Sequence, residues 1–505
     1  MDWKRLIVSF SVAAFVSFVI LLLLNDFGIT WDEPIHIRDA DQYVAWLKRP
    51  IWGDKDKFFA VTFDDVHPPF RKLVAGLTHQ VFTNDLKVID NTRGYRISAL
   101  FFVFSFIILF TYIAIGQFGY VIGVLAPLIF SFLPHVLYLT PLLTMDYAIA
   151  VLWFTAVVTF VKGIKQYFWL TISGISIGLT MLTKLHGYLL FVPVIGYWVW
   201  HFRGHYTRAA WVRVIFAVAV AWAVYIIGWP WLWNGTLAHL VEYFRVQTGH
   251  GSVPEYIFGK TYEFAPWWYT AIMFLTTTPA FVLIFGGIGS YWTVRKGKTW
   301  DRIILLNALY PILFFSLPGI YRYDWVRQFL AAFPFVTLLA GRGIQVTVKS
   351  FKKDLRAVVS IIIIAAWIAT LYFSVIIIHP WESAYYNEFV GGIKGANRIG
   401  MESEFWGNAY LGALSWMNEN KIHRMCVTPT TYPFYYYQAM GQIQSGVTFT
   451  APRDVCDYVV VLMRQGLFVR DPYIAKVVHT QKPVYTVSVD GVTLVGVYDI
   501  REIKD

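Results

Sequence analysis

The sequence predicts a polytopic α-helical membrane protein of about eleven spans followed by a small α/β domain. Three observations carry this reading. Charged residues make up 14% of the chain and hydrophobic residues 57%, where a soluble globular domain carries about 25% charged residues. Apolar runs approaching the roughly 20 residues a helix needs to cross a bilayer core recur up to residue 378 and then stop. Lys and Arg gather in alternate connectors, as the positive-inside bias requires.

The first run, "LIVSFSVAAFVSFVILLLL" at 6–24, has no small-residue cleavage site after it and is expected to be a retained helix. Further runs lie near 97–116, 119–139, 147–161, 167–183, 187–201, 214–233, 267–290, 303–318, 328–341 and 357–378. With Lys4 and Arg5 holding the N-terminus in the cytoplasm, the inside connectors carry Lys162 and Lys165, then Arg203, Arg208 and Arg213. They continue with Arg295, Lys296, Lys298 and Arg302, and end with Arg342, Lys349, Lys352, Lys353 and Arg356. The formal charge of +11 is therefore a sorting by membrane side. It is not an aromatic-interleaved basic patch, which argues against a nucleic-acid partner.

The first outer loop, 25–96, mixes acids and bases. Within it "HPPFRKLVAGLTHQVF" spaces Phe70, Leu73, Val74, Leu77 and Val81 helically after Pro68 and Pro69, so an interfacial helix with its apolar stripe toward lipid is expected. A second stripe, Ala40, Tyr43, Val44 and Leu47, makes the loop a structured lid over the bundle. An odd number of spans leaves 379–505 outside, where "RMCVTP", "DYVVVLM", "PVYTVSV" and "GVTLVGVYDI" read as strands of a soluble domain distinct from the membrane domain, 1–378. Its cysteines, Cys426 and Cys456, are the only two in the chain and read equally as a disulfide or as two buried thiols.

Ionisable groups at the outer surface are the candidates for chemistry. "TWDEP" sets Asp32 and Glu33 just past the first helix. Adjacent side chains on an extended segment diverge, so one carboxylate can face a cavity as a general base while its neighbour is anchored; the alternative is a helix N-cap. Asp64 and Asp65 precede His67 without paired metal-ligand spacing, and Asp65 also suits a cap for the interfacial helix. Asp146 caps a helix or lines a site, and Lys184 snorkels or faces a cavity. Arg93, Arg96, Arg322 and Arg327 cluster where positive-inside bias disfavours them, and guanidinium forks suit a phosphate. Aromatic "GKTYEFAPWWYT", 259–270, reads as sugar-stacking rings or an interfacial belt.

These pieces resemble the GT-C membrane glycosyltransferases related to protein O-mannosyltransferases and to the bacterial lipid A aminoarabinose transferase. The resemblance rests on "GITWDEP", "DDVHPPF", "YRISALFF", "TMDYAIA", "LTKLHGYLLFVPV", "WPWLWNGTLAHLVEYF" and "VRQFLAAFPF" in order, over residues 1–345, with "HPWESAYYNEFVGGIKGAN" beyond. It implies transfer of a monosaccharide from a polyprenyl-phosphate donor to an acceptor outside the plasma membrane of a bacterium or archaeon, with inversion and without a required metal or other cofactor. It implies Asp32 as general base, Glu33 as its positioning partner, and Arg96, Arg327, Lys184 and Arg322 at the donor phosphate. Asp146, Asp65 and His67 would line the same cavity. No room exists in 234–266 for a β-trefoil insert, so protein mannosylation is not implied and the acceptor is unassigned. A lipid-sugar flippase and a noncatalytic partner in surface-glycan assembly are the alternatives; the former predicts midplane charges and internal repeats.

Overall fold

The computed structural model describes residues 2–48, 67–249, 251–420, 422–450 and 456–501. Every apolar run of the sequence coincides with a helix or a pair of helices. Six helices among the described residues are long and apolar enough to cross a bilayer alone: Trp3–Leu22, Asn91–Phe118, Asp146–Gly163, Arg208–Gly228, Arg327–Ser350 and Lys353–Ile376. A seventh is reached if Tyr269–Thr277 and Ala280–Lys296, bent by 113° across the Thr278-Pro279 break, form one span. Others are shorter than a single crossing, such as Tyr120–Ser131 and Tyr167–Met181.

Burial separates centre from periphery. In the most apolar stretch of Asp146–Gly163 and of Arg327–Ser350, 83% of the residues are buried, against 11% in Lys353–Ile376, which buries Ile363 and shows its other isoleucines outward, as a lipid-facing edge helix must. The first helix buries Ser9, Val12, Ala13, Val16 and Ile20 against Ser98–Phe118 and leaves Phe10, Phe15 and Phe18 exposed. Ala280–Lys296 packs on Phe333–Ser350 so closely that a Cβ at Gly289 or Gly343 would sit 1.9 Å from the facing carbonyl of Leu339 or Phe285. Small residues allow such backbone approach, and without a hydrophobic driving force in lipid that dispersion contact is what holds the pair.

The described part of the 25–96 loop holds two packed helices. Glu33–Lys48 and Phe70–His79 pack together, with Ala40, Tyr43 and Val44 buried; a Cβ at Gly76 would lie 2.6 Å from the Ala40 carbonyl. Phe70–His79 is inverted relative to a soluble surface helix: Arg71 and Lys72 are buried while Leu77 is 42% exposed. Its charged side serves the protein. Arg71 donates to Ser98 Oγ and, at 3.2 Å, to the Leu142 carbonyl; Lys72 reaches the His67 carbonyl at 2.7 Å and Asp39 at 3.4 Å. Of its apolar stripe, Phe70, Leu73 and Val74 are half-buried against the core, and Leu77 and Val81 are left exposed.

Strands β1 (Glu255–Ile257) and β2 (Lys260–Tyr262) form a hairpin in a later loop. The C-terminal region builds a five-stranded sheet from β3 (Arg424–Thr428), β4 (Thr448–Thr450), β5 (Tyr458–Leu462), β6 (Tyr485–Val489) and β7 (Val492–Asp499), in the order β4-β3-β5-β7-β6. β3 runs parallel to β4 and β5, and β7 antiparallel to β5 and β6. Cys426 on β3 and Cys456 before β5 are disulfide-bonded, with Cα atoms 5.7 Å apart.

Candidate active site

Glu33 and Arg96 form a clamp. Asp32 precedes the Glu33–Lys48 helix, its carbonyl accepting from Ile35 and His36, so the chain turns immediately after the first helix and drives Glu33 inward. Glu33 is 1% exposed and accepts from Arg96 Nε at 3.1 Å and Nη2 at 2.8 Å, from Thr30 N at 3.1 Å and from Leu143 N at 2.9 Å. Arg96 spends its other N–H groups on the carbonyls of Leu24, Phe27 and Gly28. One helical turn on, His36 Nδ1 lies 2.8 Å from the Leu143 carbonyl. Two residues of one helix face thus hold both sides of Leu143, three residues ahead of Asp146.

Asp32 points the other way. Its carboxylate is 33% exposed and lies 3.3 Å from Arg327 Nη1. Arg327 is oriented on every side: Asp324 lies 3.2 Å from Nε, and the Trp406 and Tyr323 rings stand 4.2 and 5.4 Å from Cζ. Asp324 and Trp325 adopt φ of 54° and 42°, a left-handed conformation costly for non-glycine residues. The surroundings enforce it. Asp324 N donates to Glu255 at 2.8 Å, Trp325 N to Tyr269 OH at 3.1 Å, and Trp325 Nε1 to His135 at 2.9 Å. Arg464, from the C-terminal domain and fully buried, bonds Glu255 at 2.7 Å and Asp324 at 2.9 Å. A buried chain of alternating charge therefore runs Arg464–Asp324–Arg327–Asp32, and each member fixes the next.

Asp146 opens its helix, but its carboxylate takes Lys184 Nζ at 2.8 Å, with both side chains buried. Arg327 is within electrostatic reach of both Asp146 and Asp32. His67 joins the group, within electrostatic reach of Lys184 and Arg327 and of the His36 and His186 imidazoles. Burial, then chiefly Lys184 and Arg327, hold His67 well below the ordinary imidazole range; burial and then Lys184 do the same for His186, and burial lowers His36. The three imidazoles are neutral at pH 7 and add hydrogen-bonding capacity without further charge. His186 Nδ1 is buried with no hydrogen-bond partner among the described residues. A half-open carboxylate, two oriented cations and neutral imidazoles can together deprotonate a hydroxyl and receive an anionic leaving group.

The family model for dolichyl-phosphate-mannose-protein mannosyltransferases matches residues 66–231. The structure is similar to ArnT from Cupriavidus metallidurans bound to undecaprenyl phosphate, with a TM-score of 0.51 at 12% identity, covering 99% of this chain and 98% of that one. The apo state of the same enzyme gives a TM-score of 0.54 at 12% identity over 97% of both chains. This chain has the GT-C fold. The apo oligosaccharyltransferase of Archaeoglobus fulgidus is also similar, at 0.51 and 13% identity, over 89% of this chain and 65% of that one. No curated protein matches by sequence. Within the GT-C fold, the matched stretch holds the interfacial helix, Arg96, Asp146 and Lys184, while Asp32 and Arg327 lie to either side of it.

The structure brings Asp32, Arg327, Asp146, Lys184 and His67 into one cluster. Arg96 corrects the sequence reading: all its N–H groups bind Glu33 and backbone carbonyls, so it clamps the loop and has none to offer a phosphate. Arg322 is corrected too. It is committed to the carbonyls of Phe315, Leu317 and Ala265, with no ion pair to Asp32 or Asp146 among the described residues. Asp65 lies outside the described residues. Lys184 does not snorkel, and Asp146 uses its carboxylate as an ion-pair partner. Sequence reasoning missed His36, legible as the i+3 neighbour of Glu33, and Asp324, adjacent to the flagged Arg322 and Arg327. It also missed Trp406 and Arg464, for which the sequence holds no local signal.

Proposed function

We propose that this GT-C protein is a glycosyltransferase that moves one monosaccharide from a polyprenyl phosphate to an acceptor hydroxyl on the extracytoplasmic side. The observation that carries the reading is Asp32: a partly open carboxylate whose neighbour Glu33 is wholly consumed by structure, held by Arg327 beside the Lys184–Asp146 pair. Asp32 takes the acceptor hydroxyl proton, the oxygen forms a bond to the anomeric carbon from the face opposite the phosphate, and the C–O bond to phosphate breaks. The bonding pair leaves with the lipid phosphate, whose charge Lys184 and Arg327 stabilise, so the anomeric centre inverts. The steps call on no metal. Undecaprenyl phosphate bound to the similar ArnT supports a lipid-phosphate donor. The Cys426–Cys456 disulfide and the basic alternate connectors support an outer location for the C-terminal domain and the site.

The test is incubation of purified protein with radiolabelled polyprenyl-phosphate sugars, with and without chelator, beside Asp32→Asn. Donor consumption should persist in chelator and vanish in the variant while donor binding remains. Parent-rate transfer by Asp32→Asn would sink the mechanism.

A further inference from the structure

A cleft of about 240 Å³, with Tyr323 in its lining, lies between the loop around Ser252 to Ala265 and the loop Gly319–Tyr323. Its walls combine two kinds of surface. Phe264 and Tyr321 are 60% and 44% exposed, their ring centroids 5.9 Å apart and tilted by 42°, so they present apolar faces instead of stacking on each other. Glu263, Ser252 and Arg322 supply carboxylate, hydroxyl and guanidinium to the same cleft. Glu263 is bonded by Ser252 Oγ and by Arg470 at 2.7 Å, and those two bonds hold its carboxyl below the usual range. Arg322 is fixed in place by the carbonyls of Phe315, Ala265 and Leu317, of which Ala265 itself lines the cleft.

We propose that this cleft binds a saccharide, and that the saccharide is part of the acceptor; the second clause rests on the transferase reading above. A pyranose ring has an apolar C–H face for an aromatic ring and a hydroxyl edge for paired donors and acceptors, and this cleft offers both among its lining residues. Hydrocarbon fits poorly, because Glu263 and Arg470 would lose water on burial under lipid. A free phosphate or lipid headgroup meets the ionised Glu263 in the wall and is disfavoured. The cleft shares Tyr323 with the reaction centre, whose ring stands 5.4 Å from Arg327, while Arg327 is 3.3 Å from Asp32. With the donor phosphate assigned to Lys184 and Arg327, a sugar seated here is linked to the base through Tyr323 and Arg327, the residue that also holds Asp32.

The test is direct binding to the full-length protein in detergent, read by saturation-transfer NMR with a panel of methyl glycosides (glucoside, galactoside, mannoside and N-acetylglucosaminide) and inorganic phosphate as competitor. At least one glycoside should receive saturation in the parent and in Asp32→Asn, lose it at least tenfold in Phe264→Ala/Tyr321→Ala, and resist phosphate. Glu263→Gln, which keeps the cleft's shape, should weaken the same glycoside several-fold with an unchanged melting point, which separates a lost contact from a lost fold. Equal saturation in the double variant, displacement by phosphate, or no glycoside bound would overturn the proposal. Sugar binding in a protein that consumes no lipid donor would instead remove the transferase reading and leave the saccharide site standing.

Discussion

Replacing Glu33 and replacing Asp32 should damage the protein in opposite ways, although the two are neighbours in the chain. Glu33 is 1% exposed and accepts two N–H groups of Arg96 and two from the backbone. Glu33→Ala strands a buried guanidinium, about 3–5 kcal/mol, and orphans the N–H groups of Thr30 and Leu143, about 1 kcal/mol or more each. The sum, roughly 5–7 kcal/mol, approaches the whole stability of many domains, so the alanine variant should accumulate poorly. Glu33→Gln keeps the shape and one acceptor oxygen and should be the readable variant, with a clearly lower melting temperature. Asp32→Asn removes one arm of a pair that is 33% exposed, while Arg327 keeps Asp324. After solvent screening its stability cost should be about 1 kcal/mol or less, whereas loss of a general base should slow turnover about 10²–10⁴-fold. The assay pairs thermal unfolding in detergent with donor consumption at a temperature where every variant is folded. The reasoning fails if Glu33→Gln melts with the parent, or if Asp32→Asn loses activity only in proportion to unfolding.

Arg464→Met should leave Glu255 buried without its cation and Asp324 with Arg327 alone, costing roughly 3–5 kcal/mol, and Glu255→Gln on that background should recover much of it; chemical unfolding of the three proteins measures both. Burial pushes the Glu402 carboxyl up to about 8 against the pull of Arg464. A folded-state pKa raised above the unfolded value favours the protonated native form, so this contribution is full below about pH 4.5 and is lost as pH rises through about 8. Stability should fall over that window by at most about 1.4 kcal/mol per pH unit, and Glu402→Gln should flatten the slope in melting curves taken across it. Replacing both cysteines by serine opens a loop with a sequence separation of 30 residues and should cost about 3–4 kcal/mol on the chain-entropy account. The loss should appear as earlier proteolysis of the C-terminal domain, matched in the parent only after reduction.

Charge inside an apolar chain is conspicuous, so Asp32, Asp146, Lys184 and Arg327 each stood out in the sequence, but it was the family resemblance that gathered them into one cavity. Where their hydrogen bonds go was not legible. Arg96 and Arg327 look alike in the chain, yet one is exhausted by the carbonyls at the end of the first helix and the other is oriented toward Asp32. Hydropathy located each helix among the described residues that is long enough to cross a bilayer, but not where runs break: the breaks at Thr278-Pro279 and just before Pro134 divide runs that read as continuous. Inverted amphipathicity made the Phe70–His79 helix readable, because its stripe is visible whichever side it faces. Arg464 was invisible. A lone arginine is ordinary in a soluble domain, and its partners lie 209 and 140 residues away.

That long-range pairing orders events in biosynthesis. A chain synthesised as far as Ile376 already holds Asp32, Arg327, Asp146 and Lys184, but Glu255 still lacks its cation, Asp324 has only Arg327, and the Trp406 ring that flanks Arg327 has not been translated. The cluster is finished only when the C-terminal region has been made and has docked Arg464 and Trp406 against it. Position in the chain thus delays completion of the centre until the whole polypeptide is in place.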